Sequence, residues 1–250
     1  MIKLYTEDNF LGGHIVLKQP KEGFRSGSDG VFLASSLSHN TKGRILDVGC
    51  GTGVASLCLG WRMPKVEIVG IDCQKHMIDL AQENAQKNNL HDRVTFLVED
   101  IRSPREELQP QSFDCVISNP PYFKNSTSSD DSSRAISRGY KDDSLQVWVN
   151  YCIKMAKPRG FLHFIFPTDS LKTLLNCLGS KVGGIALYPL WAKEDSSVSK
   201  RIIVTARKDV GSPTTLHKGM ILHNDDGNYT QSARKILWDG KGIFDEESKD

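Results

Sequence analysis

Two short strings in this 250-residue chain carry residue types suited to chemistry. The first is Asn119-Pro120-Pro121-Tyr122, directly after the strand-like run Phe113-Asp114-Cys115-Val116-Ile117-Ser118. Two prolines fix φ and remove two N–H donors, so this stretch is stiff and displays carbonyls. The Asn119 side-chain oxygen and the Pro120 carbonyl can both accept from one exocyclic NH2 group. Such a nitrogen is a weak nucleophile because its lone pair is delocalised. Two acceptors bias it toward a tetrahedral, attacking geometry and stabilise the developing positive charge. Tyr122 adds a ring for a planar substrate to stack on, worth ~1–3 kcal/mol for a base. No Ser, Cys or His nucleophile is required. Taken alone, the same four residues read equally well as a proline-stiffened turn closing a strand.

The second string is Asp47-Val48-Gly49-Cys50-Gly51-Thr52-Gly53. It follows a strand beginning at Arg44 and should open a helix. Glycines there let the backbone turn tightly and approach a ligand whose polar end meets free N–H groups. A dinucleotide fingerprint needs Gly or Ala where this chain has Val54. Asp47 would repel a pyrophosphate but suits a ligand bearing an ammonium and a sulfonium. That charge argument favours S-adenosylmethionine over NAD. The next strand, 66–71, runs into Asp72, where a carboxylate can accept both hydroxyls of a ribose. The plainer alternative makes Asp72 the cap of the following helix. A third strand ends at Val98-Glu99-Asp100-Ile101. Asp100 is suited to accept from an adenine amino group while Ile101 packs on the ring, although an Asp after a strand is also an ordinary turn residue.

The elements that must position these strings alternate strand and helix. Apolar periodicity predicts strands at 44–48, 66–71, 94–98, 113–118 and 160–166, and two last strands at 184–191 and 200–207. Helices are predicted over 75–88, 144–157 and 169–178, with Asn88-Asn89 as a stop. Buried-type strands alternating with helices imply a parallel sheet covered on both faces. The last two strands have no helix between them, so an antiparallel hairpin at one edge is expected. Residues 119–143 read as a long polar loop, with 124–133 rich in Ser, Thr and Asp and expected to be mobile. The expected organisation is one domain: a loose lead with a capping helix (1–43), a core (44–210) and an appendage (211–250).

Composition excludes other classes. Apolar residues make up 38% and charged residues 25%, and Lys+Arg 32 against Asp+Glu 30 gives a net charge of +2. Residues 209–250 hold five basic and eight acidic side chains, leaving 27 against 22 (+5) for the rest. No apolar run approaches the ~18 residues of a membrane span, and acids stand where a signal peptide would be apolar. The six cysteines include no C-x-x-C pair. They read as reduced core residues of a cytoplasmic protein rather than metal ligands or a disulfide frame. No metal and no membrane partner is expected.

On the glycine string and the Asn-Pro-Pro-Tyr tetrad together, the chain resembles the class I S-adenosylmethionine-dependent methyltransferases, specifically the N-methyltransferases carrying that tetrad. The resemblance implies a Rossmann-like α/β fold, a seven-stranded mostly parallel sheet with an antiparallel last strand and helices on both faces. It implies that Asp47, Gly49, Asp72 and Asp100 line the cofactor, with Gly51, Gly53, Ile101 and Asn119 completing that set. Asn119, Pro120 and Tyr122 are the implied catalytic residues, with Pro121 and Tyr122 against the substrate. Methyl transfer would be direct and in line, so positioning and charge stabilisation would carry most of the catalysis.

Gly12-Gly13-His14-Ile15-Val16-Leu17 and Phe24-Arg25-Ser26-Gly27-Ser28-Asp29-Gly30-Val31-Phe32-Leu33 look like the N-terminus of the bacterial tRNA(Val) adenine-N6 methyltransferase family. The likeness runs on to His223-Asn224-Asp225-Asp226-Gly227-Asn228-Tyr229-Thr230. It implies that Ser28 or Asp29 caps a helix against the methionine end of the cofactor, a plain N-cap being the alternative. It also implies that the target is adenosine 37 of a valine tRNA. Where the family has an Ala-Arg-His-Glu-like string, this chain has Ser137-Arg138-Gly139-Tyr140. Arg138 remains a substrate contact, while the His and Glu contributions are absent. Lys124, Arg134, Arg138, Lys141, Lys200, Arg201, Arg207 and Lys208 are candidate phosphate contacts. The expectation is a cytoplasmic, monomeric enzyme that methylates N6 of an adenine in tRNA. The alternatives are adenine in DNA or rRNA, a protein glutamine, or a non-catalytic module that binds the cofactor and RNA.

Overall fold

The computed structural model describes residues 4–23, 25–104, 108–121 and 144–245. Eleven strands are present among them: β1 (Tyr5–Phe10), β2 (Ile15–Pro20), β3 (Gly43–Val48), β4 (Val66–Asp72), β5 (Val94–Val98), β6 (Phe113–Ser118), β7 (Ala156–Pro167), β8 (Val182–Trp191), β9 (Arg201–Lys208), β10 (Thr215–Leu216) and β11 (Met220–Ile221). The α-helices are α1 (Ser28–Ser35), α2 (Val54–Arg62), α3 (Lys75–Lys87), α4 (Ser144–Met155), α5 (Leu171–Leu178) and α6 (Gln231–Leu237).

The large sheet has the order β10-β8-β9-β7-β6-β3-β4-β5, with β11 also pairing β8. Strands β5, β4, β3, β6 and β7 run parallel, and β9 runs antiparallel to both neighbours, β7 and β8. This is the mostly parallel sheet with a reversed last strand. The sheet is wider than seven strands because two-residue strands from the C-terminal part add to the outer edge of β8. From β3 the chain winds outward through β4 to β5, then returns to β6 on the other side of β3. The strand order therefore reverses between β3 and β6, the place where doubly wound sheets open a crevice.

Two apolar clusters lie on the sheet's faces. One joins Phe32 of α1, Leu57 of α2, Ile78 of α3 and Ile236 of α6 to inward side chains such as Ile45, Ile68 and Ile117. The other joins Val149 of α4 and Leu174 of α5 to Leu46, Val116 and Phe164. Alternate residues of one strand thus feed opposite clusters, which is why the central strands are apolar throughout rather than alternating. Helix α3 ends where expected: Asn88 follows its last residue, and Asn89 takes φ 55°.

The N-terminal lead is not loose. β1 and β2 form an antiparallel hairpin, and Leu11, Ile15 and Leu17 are fully buried. The outer edge of β2 is paired by side-chain amides from a helix. Asn84 accepts from the Lys18 N–H (2.8 Å) and donates to the Lys18 carbonyl (3.1 Å). Asn88, one turn on, does the same for Val16 at 2.9 and 2.8 Å. Two asparagines at i and i+4 thus stand in for a neighbouring strand and close an edge that would otherwise be open. The C-terminal part is anchored as well. The buried Arg62 guanidinium donates to the carbonyls of Gly240 (2.6 Å) and Ala34.

Candidate active site

Register places four strand ends level at the carboxyl edge of the sheet. Val48 of β3 lies opposite Ile71 of β4 and Ser118 of β6, and Asp72 lies opposite Val98 of β5. The glycine string, Asp72, Asp100 and Asn119 therefore leave one edge side by side, with the first and last flanking the switch point.

The glycine string makes a tight turn into α2. Gly49, Gly51 and Gly53 have φ of 75°, 55° and 90°, the left-handed region that disfavours any Cβ. Space matters as much as conformation. A Cβ on Gly49 would lie 2.6 Å from the Trp148 ring, and one on Gly53 2.7 Å from that of Phe96. The Gly49 and Cys50 N–H groups both donate to the Ile71 carbonyl, at 2.8 and 3.0 Å. The turn is thus tied to the end of β4. Thr52 is held from the other side, its carbonyl accepting from Asn84 at 3.1 Å.

Asp72 serves two local roles at once. One carboxylate oxygen accepts from the Gly51 N–H at 3.2 Å and the other from the Gln74 N–H at 2.9 Å. The second bond is the helix-entry role read from the sequence, although the N-cap position itself is Gln74. Each oxygen keeps a further lone pair for a ribose hydroxyl. Burial raises the Asp72 pKa, against the lowering effect of those bonds. Asp100 is more open; Arg102 hydrogen-bonds it at 3.1 Å and lowers its pKa. Ile101 is half-buried and packs against the second apolar cluster.

Asp47 is 2% exposed and accepts from the Ser56 hydroxyl of α2 at 2.7 Å. Burial pushes its carboxyl up to about 7, and the charge of Asp72 adds in the same direction. A carboxylate so desolvated gains from an incoming cation. Three glycines in an open-backbone turn, a carboxylate with spare acceptor capacity and a cation-seeking acid form a donor set that fits S-adenosylmethionine.

The helix cap expected from Ser28 or Asp29 is not formed. Gly27 occupies the N-cap of α1 and no side chain caps it, because Ser28 and Asp29 are already in the first turn. Asp29 instead meets Arg201 Nε at 2.8 Å, linking α1 to the start of β9. That contact engages a residue expected to grip phosphate. Helix α1 lies close on α2: a Cβ on Gly30 would fall 2.3 Å from Val54.

On the acceptor side, Asn119 is half-buried, Pro120 buried and Pro121 half-buried, immediately after β6. Tyr122 and Arg138 lie outside the described residues, as do Lys124, Arg134 and Lys141. Ser118 and Trp148 were not singled out in the sequence, yet they join the two strings. Ser118 Oγ donates to the Val48 carbonyl (2.7 Å) and accepts from Trp148 Nε1 (2.9 Å). Ser56 and Asn84 were missed for the same reason: each is an ordinary polar residue on a helix until the fold sets its partner. Four cysteines are buried, Cys177 is half-buried and Cys73 is exposed. Among the described residues, no helix is long and apolar enough to cross a membrane.

Comparison with known proteins agrees with this geometry. Residues 23–139 match the family model described as methyltransferase small domain. A tRNA1(Val) (adenine(37)-N6)-methyltransferase of Glaesserella parasuis is 31% identical over 180 residues, covering 71% of this chain and 74% of that protein. One from Porphyromonas gingivalis is 33% identical over 156 residues, covering 60% of this chain but only 61% of that relative. A crystal structure of a predicted O-methyltransferase from Agrobacterium tumefaciens superposes with a TM-score of 0.72 at 21% identity, covering 86% of this chain and 97% of that one. Such a distant likeness carries the fold, that of the class I methyltransferases. With the identity and coverage to the Glaesserella protein added, the chain belongs to the tRNA1(Val) (adenine(37)-N6)-methyltransferase family.

Proposed function

We propose that the chain transfers a methyl group from S-adenosylmethionine to N6 of an adenine in tRNA, the substrate being adenosine 37 of a valine tRNA. One observation supports this above the others. The glycine turn and Asn119 leave adjacent parallel strands, at level register, on either side of the switch point. A cradle for a cationic methyl donor thus faces an acceptor pair for an exocyclic amine across one crevice.

When bound, S-adenosylmethionine supplies an electrophilic methyl group on a sulfonium. The chain's residues do the rest. Gly49, Gly51 and Gly53 would allow the cofactor's close approach to the backbone, Asp72 would accept from the ribose, Asp100 from the adenine amino group with Ile101 against the ring, and Asp47 would meet the ammonium. Asn119 Oδ1 and the Pro120 carbonyl accept from the two N–H groups of the target amine. Both acceptors draw the lone pair out of conjugation and stabilise charge that grows as the N–C bond forms and the sulfonium S–C bond breaks, the surplus amine proton then leaving to solvent. Pro121 and Tyr122 hold the plane of the base, and Arg138 contacts the RNA backbone. An anticodon-loop base is already unpaired, which lowers the cost of turning it into the crevice. The enzyme acts as a monomer in the cytoplasm.

The test is methyl transfer from labelled S-adenosylmethionine to bulk tRNA, duplex DNA and a release factor in parallel, followed by nucleoside analysis. Label in N6-methyladenosine from tRNA is expected; label confined to DNA or protein rejects the substrate. Asn119→Ala should abolish transfer while weakening cofactor binding far less than Asp72→Ala does.

A further inference from the structure

We propose that Ser118 and Trp148 are positioning residues for methyl transfer, setting the separation between the glycine turn and the Asn119 acceptor. The proposal rests on the reading of those two strings as donor and acceptor sides of one reaction.

The pairing of β3 with β6 ends at Val48 and Ser118. Beyond that pair the chains part, one into Gly49 and the other into Asn119, and the ladder no longer holds them. The Ser118 side chain adds one bond at this point, from its hydroxyl to the Val48 carbonyl at 2.7 Å. A hydroxyl can donate once and accept as well. The Trp148 indole N–H supplies the second bond, at 2.9 Å. The benzo edge next to that N–H lies against Gly49, close enough that a Cβ there would sit 2.6 Å from Cζ2 and 2.8 Å from Cη2. One ring therefore touches the first residue of the donor turn and bonds the residue preceding the acceptor. Both side chains are buried, Ser118 at 0% and Trp148 at 7% exposed, so solvent does not compete for these bonds.

The chemistry makes this contact matter. In-line transfer needs the reacting atoms within about 3–3.5 Å, and a 1 Å misplacement costs on the order of a hundredfold. Neither Ser118 nor Trp148 has to touch cofactor or substrate to act. Glycine at position 49 makes the arrangement possible, because any side chain there would push the indole away. Ser118→Ala removes the bridge and leaves the strand intact. Trp148→Phe deletes the N–H donor together with the benzo edge that lies against Gly49, and keeps an aromatic side chain in the core.

The experiment measures kcat, KM for the acceptor, cofactor Kd by calorimetry and melting temperature for Ser118→Ala, Trp148→Phe and the double variant. The acceptor is whichever substrate the wild-type enzyme labels in the parallel screen, so a wrong tRNA assignment shows in the wild type and leaves this test standing. Expected is a loss in kcat of about 10–100-fold, with Kd and KM within about twofold of wild type. The double variant should be no slower than the slower single one, since both break the same bridge. Trp148→Phe keeps a large apolar side chain in the core and carries the test if Ser118→Ala does not fold. Wild-type kcat in Trp148→Phe, a KM or Kd rise matching the kcat loss, or additive losses in the double variant would each overturn the proposal. So would activity that returns at low temperature in step with melting behaviour.

Discussion

With Asp47 facing the ammonium as proposed, affinity for S-adenosylmethionine should depend on pH, and the size follows from burial. Its carboxyl is pushed up to about 7 because desolvation outweighs the Ser56 hydrogen bond, with Asp72 adding repulsion. Its usual value of 3.8 therefore does not apply in the fold. A ligand whose ammonium needs the ionised carboxylate binds only the deprotonated fraction. That fraction is about one half at pH 7 and about 1% at pH 5, and apparent Kd scales inversely with it. Calorimetry from pH 5 to 8 should show Kd tightening about 50-fold up to pH 7 and less than about twofold beyond. Asp47→Asn should remove that slope and bind weakly at pH 8. The same shift acts on stability with the opposite demand. Because the folded pKa is raised, the unliganded fold holds a proton that the unfolded chain releases, so stability falls as pH rises from about 4 to about 7. The full difference is on the order of 4 kcal/mol. Urea melts should therefore show the Asp47→Asn variant losing less stability than wild type between pH 5 and 8. A wild-type Kd that is flat between pH 5 and 7, or a slope surviving in Asp47→Asn, would refute the reasoning.

Other outcomes follow from single contacts. Asp72→Ala should raise cofactor Kd about 30–100-fold, as two bonds to a charged acceptor are lost; an unchanged calorimetric Kd would remove Asp72 from the site. Asn84→Ala should cost about 2–4 kcal/mol in urea unfolding, since it strands the buried Thr52 carbonyl and the half-buried Lys18 N–H and carbonyl. Its neighbour Glu83 pairs with Lys18 at the surface, so Glu83→Ala should cost under about 1 kcal/mol; equal losses would contradict the role given to Asn84. His163 is buried against Ser36, at 2.8 Å, and burial lowers its pKa from 6.5 to about 4. The unfolded chain takes up a proton that the fold refuses, so stability is complete above about 6.5 and declines as pH falls toward 4. The decline is about 3 kcal/mol, and His163→Gln should flatten it in melting curves taken between pH 7 and 4.

The sequence by itself determined whatever lies within one element or one turn. Strand periodicity set β3 to β6 and the antiparallel β8–β9 pair, and glycine spacing marked the tight turn into α2. Two consecutive prolines marked the end of β6, and Asn88-Asn89 marked the end of α3. These features are local, so their physical cause sits in neighbouring residues: a side-chain period, a φ that only glycine adopts freely, a missing N–H. Tertiary structure alone decided the contacts between elements. Asn84 and Asn88 meet a strand 66 and 72 residues earlier, Asp29 meets Arg201, and Trp148 reaches back to Ser118. The lead looks loose in sequence because its anchor is a pair of amides on a distant helix, and Ser28 and Asp29 look like caps because Gly27 gives no local sign that it takes that place. Such partners carry no period or spacing. They exist only once packing of the two apolar clusters has brought the elements together and made each buried polar group find the nearest group able to satisfy it.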